Sequence, residues 1–168
     1  MSKGTLEYIR IIGDAAMPDC FISYAIEDEA VGKLFHDELK RHGLSVFMAG
    51  VTLKPGPNWS KEIMDNLRAS SLILFLATHA ACASPFVQQE LGGALAAQKK
   101  VIPIVWDMQP SELPGWTKGF QALNLTGATI DTLRLRIMEI ANSIKADRAK
   151  VGLVLGALVL VLLSLGGK

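Results

Sequence analysis

The run Leu72-Ile-Leu-Phe-Leu76 constrains this chain more than any other feature. Consecutive apolar residues without alternation suit a strand covered on both faces, which points to the interior of a parallel sheet flanked by helices. The flanking sequence keeps the alternation of strand-like and helix-like segments that such a sheet requires. Cys20-Phe-Ile-Ser-Tyr24 reads as a first buried strand. Glu27 to His42 reads as a helix with Ala30, Val31, Leu34, Phe35 and Leu39 on one stripe and Gly43 as its C-cap. Ser45 to Ala49 is a second strand, and Pro55-Gly56-Pro57 makes Gly50 to Asn58 a loop. A helix from Trp59 to Ala69 turns Trp59, Ile63, Met64 and Leu67 inward. Ser84 as N-cap and Pro85 at the first position start a third helix that reaches Lys99, where two lysines suit the negative end of the helix dipole. Val101 to Trp106 is a fourth strand, in which Pro103 marks an edge or a bulge. A loop over 107–118, a short strand near Ala122 to Leu125 and a helix from Asp131 to Ala146 complete the unit.

A chain of 168 residues suits one domain with one core and an appendage. The expected division is an N-terminal extension over 1–18, an α/β domain over 19–147 and a separate helix over 149–167. Lys+Arg 17 stands against Asp+Glu 16, a balance that gives no footing for nucleic acid. Cys20 and Cys82 show neither metal spacing nor a disulfide framework, and His36, His42 and His79 lack ligand spacing, so no metal is expected. Tyr8 to Ile12 is interrupted by Arg10 and too short for a secretory signal.

Val151 to Leu165 carries no charge and only Ser164 as a polar side chain. With its flanks the stretch spans roughly 28 Å as a helix at ~1.5 Å per residue, close to the minimum for a bilayer. Lys145, Arg148 and Lys150 precede it and only Lys168 follows. The expectation is a single-pass transmembrane helix with the domain on the cytoplasmic side. Gly152 and Gly156 form a GxxxG spacing through which two such helices would pack.

Asp19-Cys-Phe-Ile-Ser-Tyr24, then LKRHGLSVF over 39–47, Leu53-Lys-Pro-Gly56, SPFVQQEL over 84–91 and Phe120 to Leu125 follow one another in an order that resembles the TIR (Toll/interleukin-1 receptor) family, over about residues 19 to 145. The resemblance implies a flavodoxin-like sheet of five parallel strands. Such sheets bind ligands at the carboxyl ends of their strands, near the switch in strand order. Ser23 to Glu27 contains no glycine, which disfavours the flavin or dinucleotide redox sites of other flavodoxin-like folds.

What the resemblance further implies is an enzyme of the NAD-cleaving type, with NAD as substrate and no cofactor. It places Glu90 as the catalytic carboxylate and Tyr24, Ala25, Ile26, Phe47, Ala49, Leu53, Lys54 and Phe86 around the substrate. Nicotinamide leaves as a neutral pyridine and needs no general acid, so one carboxylate suffices to hold the ribose hydroxyls and stabilise the oxocarbenium-like transition state. Phe86 lies one helical turn before Glu90 and shares its face. Two positions depart from the family pattern. Many NAD-cleaving relatives have Trp where Phe86 stands, and several have Asp where Ala49 stands. Gly92-Gly93 is costly inside a helix and marks close backbone approach.

In the family, activity depends on association, with the "BB loop" of one subunit shaping the pocket of the next. Here that loop is Leu53, Lys54, Pro55 and Gly56. A head-to-tail contact of this kind can propagate into a filament. The implied product is ADP-ribose or a cyclic form of it, released with nicotinamide, and the implied setting is bacterial antiphage defence. The rival readings are a non-catalytic, membrane-tethered TIR adaptor, which would not need Glu90, and an effector whose tail permeabilises membranes.

Overall fold

The computed structural model describes residues 17–52 and 57–165, with the helical backbone alone over 151–165. Five strands, β1 (Cys20–Ser23), β2 (Val46–Phe47), β3 (Leu72–Ala77), β4 (Lys100–Val105) and β5 (Leu123–Asn124), form a fully parallel sheet of order β2-β1-β3-β4-β5. This is the flavodoxin order, in which the direction of winding reverses between β1 and β3. The connecting helices are α1 (Glu29–Arg41), α2 (Ala49–Thr52), α3 (Trp59–Ala69), α4 (His79–Ala83), α5 (Pro85–Ala96) and α6 (Ile130–Leu165).

Alternation along the strands divides the core in two. Cys20, Ile22, Leu72, Leu74, Leu76 and Ile104 face α1 and α6, against Phe35, Leu39, Leu133, Ile137 and Ile144. Phe21, Ile73, Phe75, Val101 and Val105 face α3 and α5, against Ile63, Leu67, Val87 and Leu91. Every residue of β3 is buried, the outcome its unbroken apolar run demands. Each fully buried side chain of this size contributes about 1.5–3 kcal/mol.

Local signals land where their chemistry requires. Gly43 ends α1 with φ +76°, the left-handed backbone a C-cap glycine supplies. Ser84 caps α5 by accepting the Val87 N–H, and Pro85 occupies its first turn. Pro103 sits opposite Phe75 on β3, while β5 pairs only with Ile104 and Val105, so β4 is locally an edge at its proline.

Other expectations are corrected. β2 is shorter than Ser45 to Ala49, because Ala49 opens the single turn α2, stabilised by a bond from the Met48 N–H to Thr52 Oγ1 (3.1 Å). Between β3 and α5 lies the unanticipated α4, whose N-cap Thr78 accepts the Ala81 N–H at 3.0 Å. α5 stops at Ala96, short of the lysines. Gln98 breaks it with φ +53°, Lys99 donates to the Ser70 carbonyl (2.8 Å) and Lys100 begins β4.

The expected transmembrane helix is also corrected. No Gly or Pro interrupts 131–150, and α6, which begins on the sheet, runs on without a break through Leu165. The charged residues at its foot belong to the domain: Arg148 meets Asp19 (3.0 Å) and Asp147 meets Lys100 (3.6 Å). Among the described residues no helix is long and apolar enough to cross a membrane, and the single-pass localisation does not stand. Residues 1–16, most of the proposed extension, and 166–168 lie outside the described residues.

Candidate active site

Ser23 is the last residue of β1, and Glu90 lies in the second turn of α5. The helix crosses the sheet so that the two side chains meet: Ser23 Oγ donates to Glu90 Oε2 at 2.6 Å. Ser23 is fully buried. Burial pushes the Glu90 carboxyl up to about 7, against the opposing pull of the Ser23 hydrogen bond, which favours the ionised form. Glu90 borders a small cavity of about 20 Å³ with Phe86 and Gln89 of α5 and Trp59, Ser60, Ile63 and Met64 of α3. Phe86 is 63% exposed, with Trp59 edge-on to it at 6.1 Å and 76°. Such T-shaped pairs contribute about 0.5–1.5 kcal/mol beyond area burial.

Tyr24, the next residue after Ser23, is half-buried, and its hydroxyl accepts the Gly50 N–H at 3.1 Å. A Cβ on Gly50 would collide with that hydroxyl, so only glycine permits the approach. Burial pushes the Tyr24 phenol up, the Gly50 hydrogen bond opposes this, and the charges of Glu29 and Glu90 add to the rise. Tyr24 thereby pins α2, the turn that immediately precedes residues 53–56 in the chain. Those loop residues, Leu53, Lys54, Pro55 and Gly56, lie outside the described residues.

The remaining expected substrate contacts divide. Phe47 is buried and stacked on Phe21 (5.2 Å, 20°), and Ala25 and Ala49 are buried in the same half of the core. Their side chains face the core, which leaves the backbone as their route to a ligand. Ile26 is exposed at the start of a 3-10 turn. The structure thus brings Glu90, Phe86 and Tyr24 to one corner. It adds Ser23 and Trp59, which the sequence reading did not place there. The signal for Ser23 is a hydroxyl ending an otherwise apolar buried strand. Of the glycine pair, Gly93 packs against the Met64 methyl of α3, while Gly92 faces open space.

Beyond this corner, the Thr78 hydroxyl donates to Asp28 Oδ2 (2.5 Å), and His79 lies between Asp107 (3.5 Å) and Glu112 (3.8 Å). Among the described residues no group of His, Cys, Asp and Glu is placed to hold a metal. A much larger concavity, about 1100 Å³, opens at the other ends of the strands, between α6 and the starts of β3, β4 and β5. Its charged residues include the pairs Asp19–Arg148, Lys100–Asp147 and Arg136–Glu139. Size favours that groove. Chemistry favours the corner at Glu90, where a carboxyl titrates near neutrality at the ligand-binding ends of the strands.

A flavodoxin-like sheet with a partly buried carboxyl beside the carboxyl end of its first strand defines the structural class. Within it, the model of the TIR domain family matches residues 20–136, and the chain belongs to that family. It is 26% identical over 103 residues to a Brachypodium distachyon protein named "Probable 2' cyclic ADP-D-ribose synthase BdTIR", covering 60% of this chain and 46% of that protein. The chain therefore spans about half the length of this curated relative. Among solved structures, it resembles the TIR domain of the Toll-related receptor TRR-2 from Hydra magnipapillata, with a TM-score of 0.63 and 22% identity over 76% of this chain and 98% of that one. A TIR-STING receptor from C. gigas gives the same TM-score at 18% identity, over 76% of this chain and 39% of the receptor. Both structures support the fold.

Proposed function

We propose that this chain cleaves NAD at the bond between ribose C1′ and the nicotinamide nitrogen, with Glu90 as its catalytic carboxylate. The supporting observation is the largely desolvated Glu90 carboxyl, pushed up to about 7 and held by Ser23 beside an aromatic pair. In its ionised form it would accept hydrogen bonds from the ribose hydroxyls and stabilise positive charge growing at C1′. Phe86 and Trp59 offer apolar faces for the nicotinamide ring. The C–N bond breaks with its electron pair going to nicotinamide. Water then completes ADP-ribose with release of a proton, or a nucleophile within the same molecule closes a ring and releases the proton instead. The plant relative is named for a cyclic product, which lends support to the second branch.

A non-catalytic adaptor gains nothing from a partly desolvated carboxylate that opposes folding at neutral pH, and Glu90 favours the enzyme over it. Self-association through Leu53, Lys54, Pro55 and Gly56 belongs to the same proposal. The test is to incubate the purified chain with NAD at rising protein concentration and resolve the products chromatographically. Glu90→Ala is expected to lower the rate by about 10²–10³, the usual effect of removing a transition-state stabilising group. Equal rates for wild type and Glu90→Ala would sink the assignment.

A further inference from the structure

We infer that Ser23 is a positioning residue for Glu90, fixing which carboxylate oxygen faces the substrate and holding that carboxylate ready in its ionised form. The inference deepens the proposed NAD cleavage and rests on that reading for its kinetic consequences. Its structural part stands on the Ser23–Glu90 bond alone.

The geometry assigns separate tasks to the two oxygens. Oε2 accepts the Ser23 hydroxyl at 2.6 Å, within the short range typical of O–H···O⁻ bonds. Oε1 takes no hydrogen bond among the described residues and is the oxygen offered to a ligand hydroxyl. Ser23 can hold this position because it is fully buried at the end of β1, paired with Phe75 of β3, on a backbone fixed by the sheet. The hydroxyl has no choice of rotamers in water, so its donation to Glu90 is built in rather than occasional.

The surroundings make that bond decisive for ionisation. α3 turns Trp59, Ser60, Ile63 and Met64 toward the cavity beside Glu90, none of them titratable. From the β1 side the titratable neighbour is Tyr24, with Glu29 of α1 acting on its phenol. On α4, His79 is engaged by Asp107 and Glu112, and Cys82 meets the Met108 sulfur. Burial opposes the charge on Glu90, and the Ser23 hydroxyl is the one opposing influence identified. Without the hydroxyl, the carboxyl keeps its proton to higher pH and its free rotation lowers the fraction of productive geometry.

The experiment uses the full chain as wild type, Ser23→Ala and Ser23→Thr. Glu90 is titrated by carbon-13 NMR on glutamate-labelled protein, with its signal assigned through Glu90→Gln. In parallel, kcat and KM for NAD cleavage are followed against pH. Ser23→Ala is expected to raise the Glu90 midpoint by about one pH unit and shift the acid limb of kcat/KM by the same amount. The loss falls on kcat rather than KM, is roughly ten-fold below the midpoint and shrinks at higher pH. Ser23→Thr, which restores the hydroxyl, returns the midpoint toward wild type. Where Ser23→Ala does not fold, Ser23→Cys, a weaker donor of similar size, is expected to give an upward shift of smaller size. A midpoint unmoved in the folded variants overturns the inference. A midpoint that moves in a wild-type background unable to cleave NAD overturns the proposed function and leaves the role of Ser23 standing.

Discussion

At the residue scale, Glu90 opposes folding under the conditions where it would act. Its folded value of about 7 lies above the ordinary 4.5, so the folded chain keeps a proton that the unfolded chain has lost. Between those values unfolding releases a proton, and stability falls as pH rises through the window. Well above pH 7 the full cost of the desolvated charge is present, about 3 kcal/mol. Glu90→Gln keeps the shape and an oxygen for Ser23 but removes the charge. It is therefore expected to unfold at higher urea than wild type at pH 8, by about 2 kcal/mol, and to match wild type at pH 4. Urea denaturation at the two pH values checks this. An advantage that grows toward low pH would contradict the sign. Cys20 takes the opposite part: its thiol is fully buried and pushed far up by burial, which makes it an inert piece of the core.

At the scale of elements, the contact between Tyr24 and α2 ties that turn to the strand end that carries Ser23. Gly50→Ala would drive a methyl into the Tyr24 hydroxyl, and overpacking of this kind costs about 1–3 kcal/mol. Tyr24→Phe removes both the hydroxyl in the way and the acceptor of the Gly50 N–H. The double variant is expected to be more stable than the sum of the single losses implies, by at least 0.5 kcal/mol in a double-mutant cycle. Additive losses would mean that the two residues do not meet.

What the sequence could and could not announce separates along similar lines. β3 is legible because five apolar residues in a row have few other uses, and the ends of α1 and α5 because Gly43, Ser84 and Pro85 act on their own backbone. α2 and α4 are not, since one or two turns carry no periodicity and each depends on one Thr side chain, Thr52 or Thr78. The position of Glu90 follows from family resemblance. Its partner Ser23 stands 67 residues away and emerges only when α5 lies across β1. The tail's composition alone does not reveal that it prolongs a helix carrying Arg134, Arg136, Glu139 and Lys145 in its docked half.

At the scale of the whole molecule, the corner at Glu90 raises a question of space. A cavity of about 20 Å³ has room for little more than one water, whereas ligand sites run to several hundred. Binding NAD therefore requires side chains to move, and the exposed Phe86 with its partner Trp59 forms the wall with the most freedom to do so. A conformation that is rarely open weakens apparent affinity by the fraction of time it is open. Any contact that favours the open form restores affinity by the same factor. Association of TIR domains through the proposed loop would supply such a contact, and a head-to-tail arrangement would repeat it along an assembly. The expected outcome is that NAD turnover per chain rises steeply with protein concentration, chiefly through a falling KM, together with growth in particle size measured by light scattering. Turnover per chain that stays constant over a hundred-fold range of concentration, while particle size grows, would separate assembly from opening of the site. The opening would then belong to the single domain.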